Sequence, residues 1–169
     1  QQDIALIKQL MQAHPNICNM NCEVGHFTAS AMVVDMTSKK ILLHFHKRLN
    51  RWLQVGGHAD YETDMSRVAL REAQEETGLP DLAFLSDEEP VKPVDYDVHT
   101  IPQNKDFPKH LHPDFRYILT THHPEALSPE AGESTQFEWL TFDGALSGQY
   151  ELDDSLRRLI QKTKQLILH

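Results

Sequence analysis

The sequence predicts an α/β fold, a mixed sheet covered by helices, and three observations lead there. Apolar residues recur at helical spacing near both ends and once in the middle of the chain. Between these stretches lie runs of β-branched or alternating residues, and Gly and Pro punctuate the junctions. At 169 residues the chain has the size of one domain. With 40% hydrophobic and 24% charged residues it has the composition of a globular protein, not a disordered one. The expected organisation is a single domain over 1–169: an N-terminal helix and lead-in over 1–24, a core over 25–145 and a closing helix over 150–169.

Taken in order, Ile4, Ile7, Leu10 and Met11 form one stripe over residues 3–14, and Pro15 ends that helix because it cannot continue the hydrogen-bond ladder. Residues 27–35 and 40–46 are β-branched or alternating, with a turn-forming stretch from Asp35 to Lys39 between them, so the two read as a hairpin. A short strand over 52–55 runs into a glycine-rich entry, Gly56-Gly57. The period then changes, and 65–77 reads as a helix stopped by Gly78 and Pro80. Residues 94–101 and 114–121 alternate on either side of a Pro-containing loop over 102–109 and are expected to pair. Residues 122–134 are loop-like, 135–142 reads as a strand, and 153–168 as a helix with Leu156, Leu159, Ile160 and Leu166 on its apolar face.

Several function classes are excluded at this level. No apolar run approaches the roughly 18 residues that a membrane span requires, and nothing in the given sequence reads as a secretory signal, although one already removed would leave no trace. Cys18 and Cys22 are spaced for neither a CxxC redox pair nor a disulfide framework, so a reducing, cytoplasmic setting is expected. A net charge of -9 argues against nucleic-acid polymers as partners, since that affinity depends on cations that neutralise phosphates. A phosphate-bearing ligand needs a metal to meet such a surface. The sequence is compatible with a homodimer and does not specify one.

The chemistry concentrates in residues 56–79. Glu72, Glu75 and Glu76 stand at i, i+3 and i+4, which is one face of a helix, with Cβ atoms roughly 5 to 6 Å apart. Three carboxylates that close repel one another, and a hard divalent cation, Mg²⁺ or Mn²⁺, relieves the repulsion while accepting phosphates as further ligands. The other face offers Met65, Ala69 and Ala73 for packing, with Leu70 beside them. An ordinary solvated helix face, with an Arg71–Glu75 pair at i,i+4, accounts for the acids alone. It does not account for the glycine pair at the entry and the Gly78-Leu79 exit.

The whole arrangement resembles the Nudix box, Gly-x5-Glu-x7-Arg-Glu-U-x-Glu-Glu-x-Gly-U with U a bulky apolar residue. Gly57, Arg71, Glu72, Glu75, Glu76, Gly78 and Leu79 match in register, with Ala73 a small occupant of a U position. Gly25-His26-Phe27, Arg51-Trp52-Leu53-Gln54, His110-Leu111-His112 and Glu138-Trp139 extend the likeness over most of 25–145. The resemblance implies an α/β/α sandwich and hydrolysis of a nucleoside diphosphate linked to another moiety. It also implies that Glu72, Glu75 and Glu76, with the Gly57 carbonyl, hold the metal, Mg²⁺ or Mn²⁺, and that Arg71 supports them. The general base it implies is a box Glu, Glu133 or Glu138.

One position departs from the signature: Thr63 stands where the box has its first Glu, the partner of the box Arg, so Arg71 is expected to find another partner. Asp64 is expected to cap the helix N-terminus. A catalytically weak nucleotide sensor is the alternative function, but such sensors typically lose box carboxylates and all three are present. An isomerase on the same fold is disfavoured because no Cys lies in the strands around the box.

The groups assigned to a nucleotide-derived substrate are Arg51, Trp52, His58 and His112, with Lys47 and Arg48 as further cations. Trp52 suits base stacking or core packing. Pro93 and Tyr96 resemble weak markers of the ADP-ribose and dinucleoside-polyphosphate classes respectively, and so conflict. Finally, Asp95, Asp97 and His99 alternate, as do His110, His112 and Asp114, and each trio shares a strand face. A wet hairpin face explains this patch most simply; substrate contact or a second metal site is the functional alternative. The expectation drawn is a polar rim that holds no transition metal tightly.

Overall fold

A strand that is apolar without alternation must be covered on both faces. The computed structural model describes residues 2–47, 49–103, 105, 107–129 and 136–169, and in it β1 (Thr28–Asp35) is such a strand, buried at every position. Around it lie α1 (Gln2–Ala13), β2 (Lys40–His46), β3 (Arg51–Leu53), β4 (Val55–His58), α2 (Met65–Thr77), β5 (Ala83–Phe84), β6 (Asp95–Ile101), β7 (His110–Thr121), β8 (Phe137–Leu140), α3 (Phe142–Leu146) and α4 (Asp154–Leu168). Among the described residues the eight strands form one sheet, with β3-β2-β1-β7-β5 as its continuous path. β1 and β7 run parallel from Thr28–Asp114 to Asp35–Thr121. The other pairings are antiparallel.

Both central strands divide their partners. β1 pairs with β4 through Thr28–Ala31 and with β2 through Val33–Asp35. β7 pairs with β6 as far as Arg116 and with β5 at Leu119 and Thr120. On one face Met32 and Val34 of β1, with Ile41 and Leu43 of β2, pack under Phe142 of α3 and Leu156, Leu159 and Ile160 of α4. On the other, Ala29 belongs with Val68 and Ala69 of α2 and with Ile7 and Leu10 of α1, while Ala31 and Val33 belong with Ala73. Alanine on the strand meets alanine on the helix, so little side chain separates α2 from the sheet. The result is the α/β/α sandwich that the resemblance implied.

The helix ends are as the sequence suggests. Asp64 Oδ1 accepts from the Ser66 amide at 3.0 Å, and Gly78 closes α2 in the left-handed conformation at φ 64°. Elsewhere the chain differs from its periodicity. Gly56 and Gly57 lie inside β4, opposite Ser30 and Ala29, not in a loop. β7 begins at His110, because pairing with β6 carries it back past Pro113, which faces Val98 and lies before the stretch that pairs with β1. The strand read over 135–142 is shorter, Phe137–Leu140. It gives way to α3, capped by Thr141 Oγ1 accepting from the Gly144 amide at 3.0 Å. Five residues are too few for a helical period to register, and the two-residue β5 has no period at all. Among the described residues no helix is long and apolar enough to cross a membrane.

His44 of β2 is 4% exposed, stacked on Phe137 at 5.8 Å between ring centroids, and its Nδ1 has no hydrogen-bond partner among the described residues. Burial, and then the neighbouring His46, lowers its pKa from 6.5 to about 4. The unfolded chain therefore binds more protons between those values, and stability falls as pH drops through that window. The full effect at this one residue is on the order of 3 kcal/mol. Thermal melts from neutral to acidic pH check this: His44→Leu should flatten the decline, and an unchanged slope would refute it.

Candidate active site

Helix α2 meets the sheet along Met65, Val68, Ala69, Ala73 and Thr77, which turns Glu72 and Glu76 towards the edge of β4. Both glycines of β4 are crowded, Gly57 by the Glu72 carboxylate of α2 and Gly56 by the neighbouring strand β1. A Cβ at Gly57 would lie 2.3 Å from Glu72 Oε2, and one at Gly56 would lie 2.5 Å from the Ser30 Cβ. With no Cβ in the way, the Glu72 carboxylate rests against Gly57, and Glu76 Oε2 accepts from the Gly56 amide at 3.0 Å. Glu75 stands further out, its side chain 46% exposed.

Arg71 holds this corner together. Its Nη2 donates to the His58 carbonyl at 2.6 Å and to Glu72 Oε1 at 2.8 Å. Asp60 Oδ2 lies 3.8 Å away, and the expected i,i+4 contact with Glu75 is the longest of the set, 4.0 Å. The partner that Thr63 cannot supply is thus replaced by a backbone carbonyl, a box acid and Asp60. Thr63 itself is exposed, and its amide donates to Glu62 Oε1 at 2.8 Å. Burial pushes the Glu72 carboxyl above its ordinary range, with Glu75 and Asp60 adding to the rise while Arg71 opposes it.

A cavity of about 800 Å³ opens beside β4. Gly57, His58, Arg51 and His112 line it, and so do Asp97, His99, His110 and Asp114, so these residues named from sequence meet there. Trp52 does not join them. It lies opposite Phe45 in the β2–β3 ladder and packs edge-on against Phe45 and Tyr150, because alternation along β3 sends Arg51 and Leu53 to the cavity side and Trp52 to the other. Tyr96 packs on Phe115. Glu138 accepts a hydrogen bond from the Tyr150 hydroxyl and is not among the lining residues. Glu133 and Arg48 lie outside the described residues.

The β6–β7 hairpin is not a wet face. His99 pairs with His112 and Asp97 with Asp114, and Asp95, His110, Asp114 and Arg116 are all at most 6% exposed. Arg116 lies within 3.0 Å of Asp114, 3.3 Å of Asp97 and 3.7 Å of Asp95. Arg158 and Lys162 of α4 complete the neutralisation at Asp95, and the Thr28 and Ser30 hydroxyls donate to Asp114. Burial alone would raise the Asp97 carboxyl. The hydrogen bond to His99 and the charges of Arg116 and Arg158 overcome it and hold Asp97 at about 2. The alternation of Asp95, Asp97 and His99 placed these groups on one face; nothing in the local pattern marked Arg116, Arg158 or Lys162 as their partners.

A further residue arrives from outside the hairpin. His26, 3% exposed, brings its Nε2 to 2.9 Å from that of His112. Burial first, and then neighbouring histidines, lowers His26 to about 4 and His112 to about 2. Both rings are therefore neutral near pH 7.

Comparison with known proteins agrees with this geometry. A sequence profile of the NUDIX domain matches residues 26–162. No curated protein matches the chain significantly. Among solved structures, a NUDIX-family hydrolase from Clostridium perfringens is 27% identical, with a TM-score of 0.66 over 83% of this chain and 97% of the other. A C. elegans Ap4A hydrolase, solved as a binary complex, is 16% identical, with a TM-score of 0.58 over 84% and 97%. The NUDIX domain of Shewanella oneidensis NrtR, solved with ADP ribose, is 15% identical, with a TM-score of 0.52 over 89% and 96%.

The two sides of the Thr63 departure can be separated by urea melts of the metal-free protein. Arg71→Ala leaves the part-buried Glu72 carboxylate and the His58 carbonyl without their donor, and should cost about 1 to 3 kcal/mol. Thr63→Ala removes only an exposed side chain and should stay within about 0.5 kcal/mol. A larger loss at Thr63 than at Arg71 would overturn the contact assignment.

Proposed function

The chain belongs to the NUDIX family of hydrolases, and from that premise we propose that it cleaves, with a divalent cation, a phosphoanhydride bond in a nucleoside diphosphate linked to another moiety. The observation that carries the proposal is the convergence of Glu72 and Glu76 on the Gly56-Gly57 backbone at the edge of the cavity. The donors there are all oxygens, carboxylates with a backbone carbonyl, which suits Mg²⁺ or Mn²⁺. The space that a Cβ at residue 57 would fill is the space in which the Glu72 carboxylate turns. We assign Glu72, Glu75, Glu76 and the Gly57 carbonyl to hold the cation. Bound there, it neutralises the diphosphate and acidifies a water for attack on phosphorus.

The remaining work falls to the chain's own residues. Arg71, anchored on the His58 carbonyl, fixes the orientation of Glu72. We assign the proton of the attacking water to a box carboxylate or to Glu133, which lies outside the described residues; Glu138 is engaged by Tyr150. Arg51, His58 and His112 border the cavity and are assigned to the substrate, whereas Trp52 leaves that set. Arg51 is half-exposed beside Asp153 at 3.4 Å, and its guanidinium suits phosphate oxygens. One structural neighbour is an Ap4A hydrolase and another was solved with ADP ribose, and a nucleoside diphosphate is the chemistry that Ap4A and ADP ribose share.

A panel of such nucleotides with Mg²⁺ or Mn²⁺, read by release of phosphate or nucleoside monophosphate, tests the proposal, and chelation should abolish turnover. Glu75→Gln and Glu76→Gln keep side-chain shape and remove a charge, so the fold should survive. Losing a group that stabilises the developing charge should lower kcat by about 10² to 10⁴. Activity within about threefold of wild type in both variants, or tight binding of the panel without turnover, would refute a hydrolytic site here.

A further inference from the structure

We propose that His26, His58 and His112 form a second metal site, separate from the carboxylate box and suited to a transition-metal dication of the zinc class. The three rings come from three parts of the fold. His26 lies just before β1, where its amide donates to the Leu111 carbonyl at 3.1 Å. His58 ends β4 opposite Thr28, and His112 lies on β7. One coordinating nitrogen from each falls within 4.8 Å of the other two. A tetrahedral zinc holds imidazole nitrogens at about 2.0 to 2.1 Å, which puts them about 3.3 Å from one another; the His26–His112 pair, at 2.9 Å, is near that spacing, and a set up to 4.8 Å wide closes on an ion by side-chain rotation. The donors are imidazoles without a carboxylate among them, a set that favours zinc, copper or nickel over Mg²⁺. This site and the box therefore sort cations by ligand type.

The close nitrogen contacts point the same way. His110 Nδ1 lies 2.8 Å from the Pro108 carbonyl, which anchors this ring on the backbone beside the cluster. His112 Nε2 then stands 3.1 Å from the His110 nitrogen and 2.9 Å from that of His26. It has at most one proton to give to two close contacts. A dication bound through the lone pairs of His26 and His112 makes their 2.9 Å approach one between two ligands of the same ion. His26, His58 and His112 all border the cavity, so the three-histidine set keeps a coordination position open to a water or to a ligand atom from that side.

The site uses none of the box carboxylates, so its test is independent of turnover. Full-length protein stripped by chelator and dialysed is titrated with Co²⁺ alone, followed by visible absorption and calorimetry. We expect one equivalent to give the strong absorption of a four- or five-coordinate nitrogen site, displaced by Zn²⁺ and not by excess Mg²⁺. His112→Ala should weaken that binding by more than about 100-fold, beyond the usual loss from a group behind a ligand. His58→Ala, at the partly exposed end of β4, tests the same point with less disturbance of the core, and circular dichroism reports whether each variant is folded. Glu75→Gln should leave the absorption intact. The proposal is overturned if Co²⁺ gives only the pale spectrum of an octahedral oxygen site, or if the absorption persists in a folded histidine variant. Loss in Glu75→Gln with retention in the histidine variants would likewise return the metal to the box.

Discussion

The constraint on which the rest depends is the approach of α2 to the first half of the sheet. Alanines 29 and 31 of β1 and alanines 69 and 73 of α2 keep the layers near one another, and Gly57 of β4 extends that closeness to the polar edge. A larger residue at 57 would push away the Glu72 carboxylate. Packing and chemistry therefore rest on the same small side chains. Arg71 secures the arrangement by tying α2 to the His58 carbonyl, so helix and strand are linked at the residue next to the glycines.

The opposite wall of the cavity is held by charge. Asp95, Asp97 and Asp114 face Arg116, Arg158 and Lys162 across β6, β7 and α4. A buried ion network of this kind is a poor source of net stability, since desolvation cancels much of its Coulomb gain. Breaking it is costly, because each group left alone is an unpaired buried charge. Its consequence is geometric: it fixes α4 against the hairpin and sets Arg116 at the cavity wall with its hydrogen bonds already made.

Residues 57 and 58 then divide the two proposed cation sites between them. Gly57 lies against the carboxylates of α2, and the His58 side chain reaches across to His26 and His112. Oxygen donors gather on the helix side and nitrogen donors on the hairpin side, with one strand end between. His58 also gives its carbonyl to Arg71, so both donor sets depend on the position of a single residue.

By itself the sequence determined the elements whose residues repeat at a regular interval: α1, the β1–β2 hairpin, α2 with both caps, the pairing of β6 with β7, and α4. It also marked the box acids, because i, i+3 and i+4 share a helix face whatever the rest of the chain does. Only the tertiary structure decided how distant segments meet. Thr63 announced that Arg71 lacked a partner, but the His58 carbonyl and Asp60 become partners only when the turn after β4 folds back on α2. Trp52 fits stacking or core equally well until the β2–β3 register turns it towards Phe45 and Tyr150. The hairpin patch reads as wet in isolation, since a lone pair of strands has two faces and local alternation cannot say what covers either. Helix α4, β1 and His26, remote in the chain, cover it, and they make a buried network and a histidine cluster of what the sequence presents as a solvated surface.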